Sequence, residues 1–421
     1  MNYYPQLTGR LHIDPENGTR TIDRLETGAT LLEATCKAQL SCFRDARSGE
    51  LSIASLPGSG VALLAPWNPA AGAVQQDPLL TIQHTRFACG AVAIGVRLAR
   101  VMSDAGGFIQ LYRDLAEIYR SIEKKGTCIG TLKQPPHILP FMAEEVAKIC
   151  LGGGEKGTSC VPPSGYSVEP ALSETPMSQS SSTEAATPLA STSSIPSIIG
   201  RELRFSSSEL SALKRKAQAP DGASWVSTFS ALSAHIWQRS QIARGAPNIS
   251  HTRDPTRSQP PTFFTSVDFS SKMDLGPKHF PAAVVTPCLQ LPESELINAP
   301  LWRVAKAIHD MTHSISPTYV RHLSEWIISQ PRKQLIRQRI PFGSNSLITT
   351  AWTRCSLYEG TNLDTSPVIA GVPFTPTNLV DGLSFFLRPK EDNEDIIVLL
   401  ALAETVWEKL DQDKEFRHVG E

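Results

Sequence analysis

The segment between Arg100 and Asp104 carries the side chains in this chain that most clearly could do chemistry. It follows a nearly all-apolar run, Cys89 to Leu98, that predicts a strand buried on both faces. It precedes an amphipathic helix predicted from Phe108 to Ile122. A guanidinium has a pKa above about 12 and does not accept a proton at neutral pH. Arg100 could therefore polarise a carbonyl, hold an anion or pair with Asp104, while Gly106 and Gly107 allow a sharp turn.

Histidines elsewhere in the chain are alternative proton acceptors, because an imidazole has a pKa near 6.5. His84 lies in a strand predicted from Leu79 to Phe87, and His279 lies in the second half of the chain. Both are candidate bases. A histidine with no visible partner is more often structural than catalytic.

Composition bounds the class of protein. A chain of 421 residues with 41% hydrophobic content predicts two globular domains of about 150 to 200 residues each. The net charge of −1 and the absence of a Lys/Arg run argue against a nucleic-acid partner. No apolar run reaches the roughly 18 residues that span a bilayer, and the first residues do not resemble a secretory signal.

The eight cysteines are scattered and form neither a C-x-x-C pair nor a zinc spacing. Reduced thiols in a cytoplasmic protein without a metal site are therefore expected.

The main change in composition is a Ser/Thr/Pro-rich stretch from Glu155 to Ser197. Such a stretch buries too little apolar surface to offset its ordering entropy, which predicts a flexible linker. We therefore assign 1–153 to an N-terminal lobe, 154–200 to the linker and 201–421 to a C-terminal lobe.

Alternation and turn residues predict further elements in both halves. Strands are predicted at Gly60–Pro66, Arg201–Ser206, Ser346–Trp352, Pro367–Val372, Gly382–Leu387 and Asp395–Leu402. Helices are predicted at Ser206–Ala217, where Ser206 and Glu209 form a capping box, and at Ser227–Arg239, Trp302–Ile315, Tyr319–Gln330 and Ala403–Leu410.

Five segments, in order along nearly the whole chain, resemble motifs of the BAHD acyltransferases. Phe87 to Phe108 resembles the Phe-x-Cys-Gly-Gly strand and the HxxxD turn, and Leu210 to Trp237 resembles a Leu-x-x-Leu-Lys helix followed by Ser-Thr-Phe-x-x-Leu-x-Ala-His-x-Trp. The matches over Phe87 to Asp104 and Thr228 to Trp237 are specific. The weaker matches are Tyr3 to Leu11, Val267 to Val284 and Ala351 to Pro367. The pattern is most similar to the fungal branch that acylates small secondary metabolites.

This resemblance implies an α/β fold of two chloramphenicol-acetyltransferase-like lobes with mixed sheets and an interlobe channel. It implies a monomer without a bound cofactor that uses acyl-CoA as co-substrate and a small-molecule acceptor, with neither nucleic acid nor membrane as partner. The expected activity is transfer of an acyl group to a hydroxyl or amine. In the family, the aspartate at the position of Asp104 organises the turn, and the histidine at the position of His235 packs its helix.

The chain departs from the family at several motifs. Arg100 stands where the family has its catalytic histidine, and the Asp-Phe-Gly-Trp-Gly loop is replaced by Gly360 to Pro367, in which only Asp364 matches by residue type. Tyr-Phe-Gly-Asn has become His279-Phe280-Pro281-Ala282. The family also places a strand and a helix before Tyr-Tyr-Pro, so the N-terminal lobe is expected to lack them.

Three hypotheses follow. The first is an acyltransferase in which Arg100 acts as an electrophile or anchor beside Asp104, with His84 or His279 as base. The second is a cyclase or dehydratase on the same fold. The third is a non-catalytic relic in which an Arg100–Asp104 salt bridge fills the old site.

Overall fold

The structure of the chain is a computed structural model. It describes residues 2–14, 16, 19–46, 49–66, 75–126, 129–139, 144, 146, 162–163, 165–169, 197–220, 222, 225–245, 260–338, 343, 345–391 and 393–417. Most of the predicted linker, 154–200, lies outside these residues.

The described strands, numbered β1 to β17 in chain order, are Arg10–Ile13, Arg20–Asp23, Thr30–Cys36, Leu80–Phe87, Val92–Leu98, His137–Ile138, Tyr166–Val168, Ile198–Phe205, Thr262–Thr265, Val267–Asp268, His279–Phe280, Val284–Val285, Cys288–Gln290, Ile336–Gln338, Ser346–Ala351, Leu383–Leu387 and Ile396–Ala403. The described α-helices, numbered α1 to α8, are Ala105–Lys125, Ser207–Lys216, Thr228–Arg244, Glu293–Asn298, Leu301–His313, Pro317–Ser329, Glu404–Leu410 and Lys414–Arg417. Short 3-10 turns include Pro57–Leu63 and Arg100–Met102.

The chain divides into two compact units that are each discontinuous in sequence. Unit 1 comprises Met1–Ser194, Leu275–Ala283 and Arg321–Arg339, and unit 2 comprises Ile195–Asp274, Val284–Val320 and Ile340–Glu421. Two stretches that the sequence analysis assigned to the C-terminal lobe thus lie in unit 1. The reason is strand pairing, because β11 pairs with β6 and β14 pairs with β7.

Unit 1 is built on a three-stranded sheet in the order β3-β4-β5, with β3 parallel and β5 antiparallel to β4. One face of this sheet and helix α1 share a core. That core contains Tyr4, Leu7, Leu80, Leu98, Met102, Leu111 and Phe280. Met102, in the turn that joins β5 to α1, belongs to the same core.

Unit 2 contains a six-stranded mixed sheet in the order β13-β9-β15-β16-β17-β8. Helix α3 is almost wholly buried and packs with the sheet residues Phe263, Leu347 and Phe386 through Leu232, Ile236 and Trp237. Ser206 and Glu209 form the capping box that the sequence predicted at the start of α2.

Two predicted strands are wrong. The stretch from Gly60 to Pro66 begins within a 3-10 turn, because Gly58, Ser59 and Gly60 all have positive φ angles, which a strand does not allow. The stretch from Pro367 to Val372 is irregular. Its Ala370 amide donates to the Tyr358 hydroxyl, 3.1 Å away, and not to a neighbouring strand.

Within the described ranges, no helix combines the length and hydrophobicity that crossing a membrane requires.

Candidate active site

Asp104 is the N-cap of helix α1 and fixes where the helix begins. Its Oδ1 accepts a hydrogen bond of 2.9 Å from the Gly107 amide, and its main-chain oxygen accepts from the Phe108 amide. A side-chain acceptor at this position satisfies one of the amides that a helix N-terminus leaves unpaired. The helix therefore begins at Ala105, earlier than the Phe108 that the hydrophobic pattern predicted.

The other carboxylate oxygen of Asp104 ties the turn to a distant stretch of unit 1. Oδ2 accepts a hydrogen bond of 3.0 Å from the amide of Ala283. The neighbouring Ser103 hydroxyl donates to the main-chain oxygen of Pro281 over 2.9 Å. Asp104 is only 9% exposed. Its carboxylate is thus engaged by two backbone amides, which suits a residue that organises the turn.

Gly107 is needed where the turn meets this stretch. A Cβ at Gly107 would lie 2.3 Å from Ser103 Oγ and 2.4 Å from the main-chain oxygen of Pro281. A Cβ at Gly106 would lie 3.4 Å from Asp104 Oδ1, which is ordinary van der Waals contact. Gly107 therefore lets the main chain approach Ser103 and Pro281 closely, whereas Gly106 makes no contact that requires a glycine.

A buried polar network holds the start of the same stretch against α1. Lys278 Nζ lies 3.0 Å from Asp114 Oδ1, and the Tyr4 hydroxyl donates to Asp114 Oδ2 over 2.7 Å. Asp114 is 1% exposed and also accepts from Gln110. Burial, followed by the nearby Asp114 carboxylate, raises the pKa of the Tyr4 phenol. The stretch from Lys278 to Ala283 is therefore anchored to α1 at both ends.

Arg100 opens the 3-10 turn between β5 and α1, and its side chain is exposed. Among the described residues it forms no ion pair with Asp104, whose two oxygens face backbone amides. The salt bridge expected of a collapsed site is thus not formed. Within the described ranges no acidic side chain pairs with Arg100, which stands at the position where the family resemblance places the catalytic histidine.

His279 lies in the anchored stretch, two residues before Pro281. Its Nδ1 is 3.1 Å from the main-chain oxygen of Gly276. If Nδ1–H donates to this oxygen, the lone pair of Nε2 is free to accept a proton. His137 is the register partner of His279 in the parallel β6–β11 pair, so both imidazoles project from the same face. Sequence reasoning missed His137, because nothing near it in sequence signals this pairing.

His84 is placed away from Arg100. Ala99, just before Arg100, bonds through its amide to the oxygen of Leu79 at the start of β4. His84 is five residues further along that strand, or about 17 Å at roughly 3.3 Å per residue. Catalytic proton transfer needs hydrogen-bond reach, so the structure does not bring His84 and Arg100 into one site.

His235 has a structural environment in unit 2. Its ring stacks on Phe416, with a centroid distance of 6.0 Å, and Nε2 lies 3.1 Å from the main-chain oxygen of Phe416. Burial lowers the pKa of His235 to about 4. This environment agrees with the packing role that the sequence indicated.

Asp364 lies in unit 2, in the irregular stretch between β15 and β16, and is exposed. Within the described part of the chain, no group of three or more His, Cys, Asp or Glu side chains could hold a metal ion.

Comparison with known proteins identifies the family. A family model described as Transferase family matches residues 1–417. The chain is 23% identical over 407 residues to shikimate O-hydroxycinnamoyltransferase of Nicotiana tabacum, covering 96% of this chain and 82% of that protein. It is 24% identical over 417 residues to a hydroxycinnamoyl-CoA:5-hydroxyanthranilate N-hydroxycinnamoyltransferase of Avena sativa, covering 97% and 82%.

Solved structures agree on the fold. TRI101 of F. sporotrichioides, complexed with coenzyme A and T-2, matches with a TM-score of 0.64 at 19% identity, covering 99% of this chain and 87% of that one. Vinorine synthase matches with a TM-score of 0.60 at 15% identity, covering 97% and 80%. The predicted α/β fold class of two chloramphenicol-acetyltransferase-like lobes is confirmed. The chain belongs to the Transferase family, the BAHD acyltransferases.

Proposed function

We propose that this protein transfers an acyl group from acyl-CoA to a hydroxyl or amine of a small secondary metabolite. The observation that carries this proposal is the intact turn around Asp104 within a chain that matches its family over residues 1–417. The Asp104 carboxylate bonds two segments that lie far apart in sequence, so the turn that carries Arg100 is held in place.

The related proteins support the choice of substrates. TRI101 is described in complex with coenzyme A and a toxin, and the plant relatives are named as hydroxycinnamoyl-CoA-dependent or hydroxycinnamoyl transferases. Those names include both O- and N-transfer. Acyl-CoA as donor and a small hydroxylated or amino acceptor are therefore the substrates to test first.

In the reaction, the acceptor oxygen or nitrogen forms a bond to the thioester carbonyl carbon, which gives a tetrahedral oxyanion. A guanidinium does not accept a proton at neutral pH, so the role proposed for Arg100 is to stabilise this oxyanion. Collapse of the intermediate breaks the carbon–sulfur bond. The proton that the acceptor loses ends on the departing thiolate of coenzyme A.

His279 is the proposed carrier of that proton. It belongs to the stretch that donates to Asp104 through Ala283, and its Nε2 is not the ring nitrogen near the Gly276 oxygen. A general base of this kind contributes about 10²- to 10⁴-fold to a rate. His279→Ala should therefore lower kcat at least 100-fold, whereas His84→Ala should change it less than threefold.

Release of free coenzyme A tests the proposal. Purified protein is incubated with acetyl-CoA and longer acyl-CoAs and with a panel of alcohols and amines. Release that depends on both an acyl-CoA and an acceptor supports it. Conversion of an acceptor without any acyl-CoA would instead support a cyclase or dehydratase, in which Arg100 polarises a carbonyl.

The cytoplasmic location, the monomeric state and the placement in the fungal secondary-metabolite branch stay predictions from the sequence.

A further inference from the structure

One face of the β3–β4–β5 sheet of unit 1 packs in a core, and the opposite face, here called the polar face, carries Thr81, Gln83, Thr85 and Arg97. Leu80, Ile82, Val96 and Leu98 pack in the core that includes α1. Side chains alternate along a strand, and register partners share a face. Thr81 and Arg97 are register partners, so both project from the face opposite this core.

The polar face is covered by the 3-10 segment Pro57–Leu63. Gln83 Nε2 donates to the main-chain oxygen of Ala62 over 2.9 Å and to the Thr85 hydroxyl over 3.0 Å. A Cβ at Gly95 would lie only 1.9 Å from the oxygen of Leu63, so the covering segment lies directly on the sheet. Polar groups on this face are therefore partly removed from water.

Two of these polar groups are unpaired. The Nε of Arg97 and the hydroxyl oxygen of Thr81 are both buried and, within the described part of the chain, have no hydrogen-bond partner. Gln83 and Thr85, two and four residues further along β4, bond to each other. The missing partners are thus confined to the cross-strand pair Thr81–Arg97.

No described side chain on this face of the three strands neutralises Arg97. Besides Arg97, the residues that share the face are Thr30, Leu32, Ala34, Cys36, Thr81, Gln83, Thr85, Phe87, Ala93 and Gly95. Partial burial lowers the pKa of the Arg97 guanidinium. Its Nε is buried without a partner while the residue as a whole is partly exposed, so an anion that reaches the guanidinium would supply the acceptor that Nε lacks.

We propose that Arg97 and Thr81 form a subsite for a carboxylate or phosphate group of a substrate. The guanidinium offers a planar fork of donors that matches such an anion, and the Thr81 hydroxyl supplies a further donor. Arg97 is three residues before Arg100, so their Cα atoms are at most about 11 Å apart. The identity of the anion as part of a substrate rests on the proposed function, whereas anion binding itself requires no turnover.

Calorimetric titration with inorganic phosphate and with acetate tests the subsite. Wild type is compared with Arg97→Met, Arg97→Lys and Thr81→Val, and with Arg86→Met as the matched control. Arg86 is an exposed arginine on the neighbouring strand β4. We expect at least tenfold weaker binding in Arg97→Met, a smaller loss in Arg97→Lys and Thr81→Val, and binding within twofold of wild type in Arg86→Met.

Two further titrations separate the sources of the anion. Tighter binding of coenzyme A than of 3′-dephospho-coenzyme A, lost in Arg97→Met, assigns the subsite to the donor phosphate. Tighter binding of benzoate than of benzamide, lost in the same variant, assigns it to an acceptor carboxylate.

The proposal is overturned if folded wild type binds none of these anions, because the unpaired Arg97 Nε then marks no anion site. It is equally overturned if folded Arg97→Met binds them as tightly as wild type does. Thr81→Val and Arg97→Lys keep the test valid if Arg97→Met does not fold. Anion binding through Arg97 without any release of coenzyme A would leave the subsite in place and count against the proposed function.

Discussion

The carboxylate of Asp104 accepts a hydrogen bond from the main-chain amide of Ala283, which is 179 residues away in sequence. With its second bond to the Gly107 amide, this contact joins the turn before α1 to the stretch from Lys278 to Ala283. The turn that carries Arg100 is therefore positioned by a long-range contact that the sequence around Asp104 does not predict. The role of Asp104 follows directly from this geometry.

Replacement of Asp104 by alanine should lower the free energy of unfolding by about 3 kcal/mol, because hydrogen bonds to a charged acceptor contribute about 1.5 to 3 kcal/mol each. Asp104→Asn keeps one acceptor oxygen, so its free energy of unfolding should fall less than that of Asp104→Ala. Urea denaturation at pH 7.5 measures both. Asp310, an exposed aspartate that pairs with Lys306, is the control, and a loss in Asp104→Ala no larger than in Asp310→Ala would contradict the bridge.

The two glycines after Asp104 should respond in opposite ways to alanine. Gly107→Ala places a methyl group against Ser103 and the Pro281 oxygen and should destabilise the protein by about 2 to 3 kcal/mol. Gly106→Ala meets only ordinary contacts and should stabilise the helix by up to about 1 kcal/mol. Thermal unfolding of both variants checks this contrast, and equal effects would show that the predicted clash is absent.

Lys278→Met should cost about 3 kcal/mol, because it leaves Asp114 buried without its cation. The double variant Lys278→Met/Asp114→Asn should recover part of that loss, since the uncompensated charge is gone. A double-mutant cycle on unfolding free energies measures the coupling. Strictly additive effects would refute a shared buried network.

Acid should destabilise unit 2 through His235. Its pKa falls from the usual 6.5 to about 4 in the folded state, so below pH 6.5 the unfolded chain binds a proton that the folded chain does not. The associated loss of stability grows as the pH falls from about 6.5 to about 4 and totals about 3 kcal/mol. His235→Gln lacks this titration.

Between pH 7.5 and 5, wild type should therefore lose about 2 kcal/mol more unfolding free energy than His235→Gln. Carboxylates titrate in both proteins and cancel in the comparison. Equal losses in the two proteins would show that His235 is accessible to protons in the folded state.

Much of the fold is predictable from the sequence because it rests on local patterns. The apolar run before Arg100 is strand β5, but the expected burial on both faces is wrong, because β5 lies at the edge of the described three-stranded sheet and is only partly buried. The three- to four-residue spacing after Phe108 predicts the core of α1. The capping box at Ser206 is predicted from the four residues Ser206 to Glu209 alone. Such features depend on neighbours in the chain, which a sequence displays directly.

The candidate site is less predictable because it depends on contacts across the chain. Nothing near Lys278 shows that it meets Asp114, and nothing near His137 shows that it pairs with His279. The wrong strand at Gly60 has a different cause, since its apolar residues fit a strand but its positive φ angles do not. The predicted channel between the lobes stays a prediction.

Release of coenzyme A by wild type, Arg100→His and Arg86→His with the same acyl-CoAs and acceptors tests whether the native site transfers acyl groups. We predict that wild type releases coenzyme A in an acceptor-dependent reaction, that Arg100→His does not exceed its kcat/KM, and that Arg86→His equals it. The contrary result is that folded wild type releases no coenzyme A with any donor and acceptor, while Arg100→His does release it. That result would show that Arg100 disables the site.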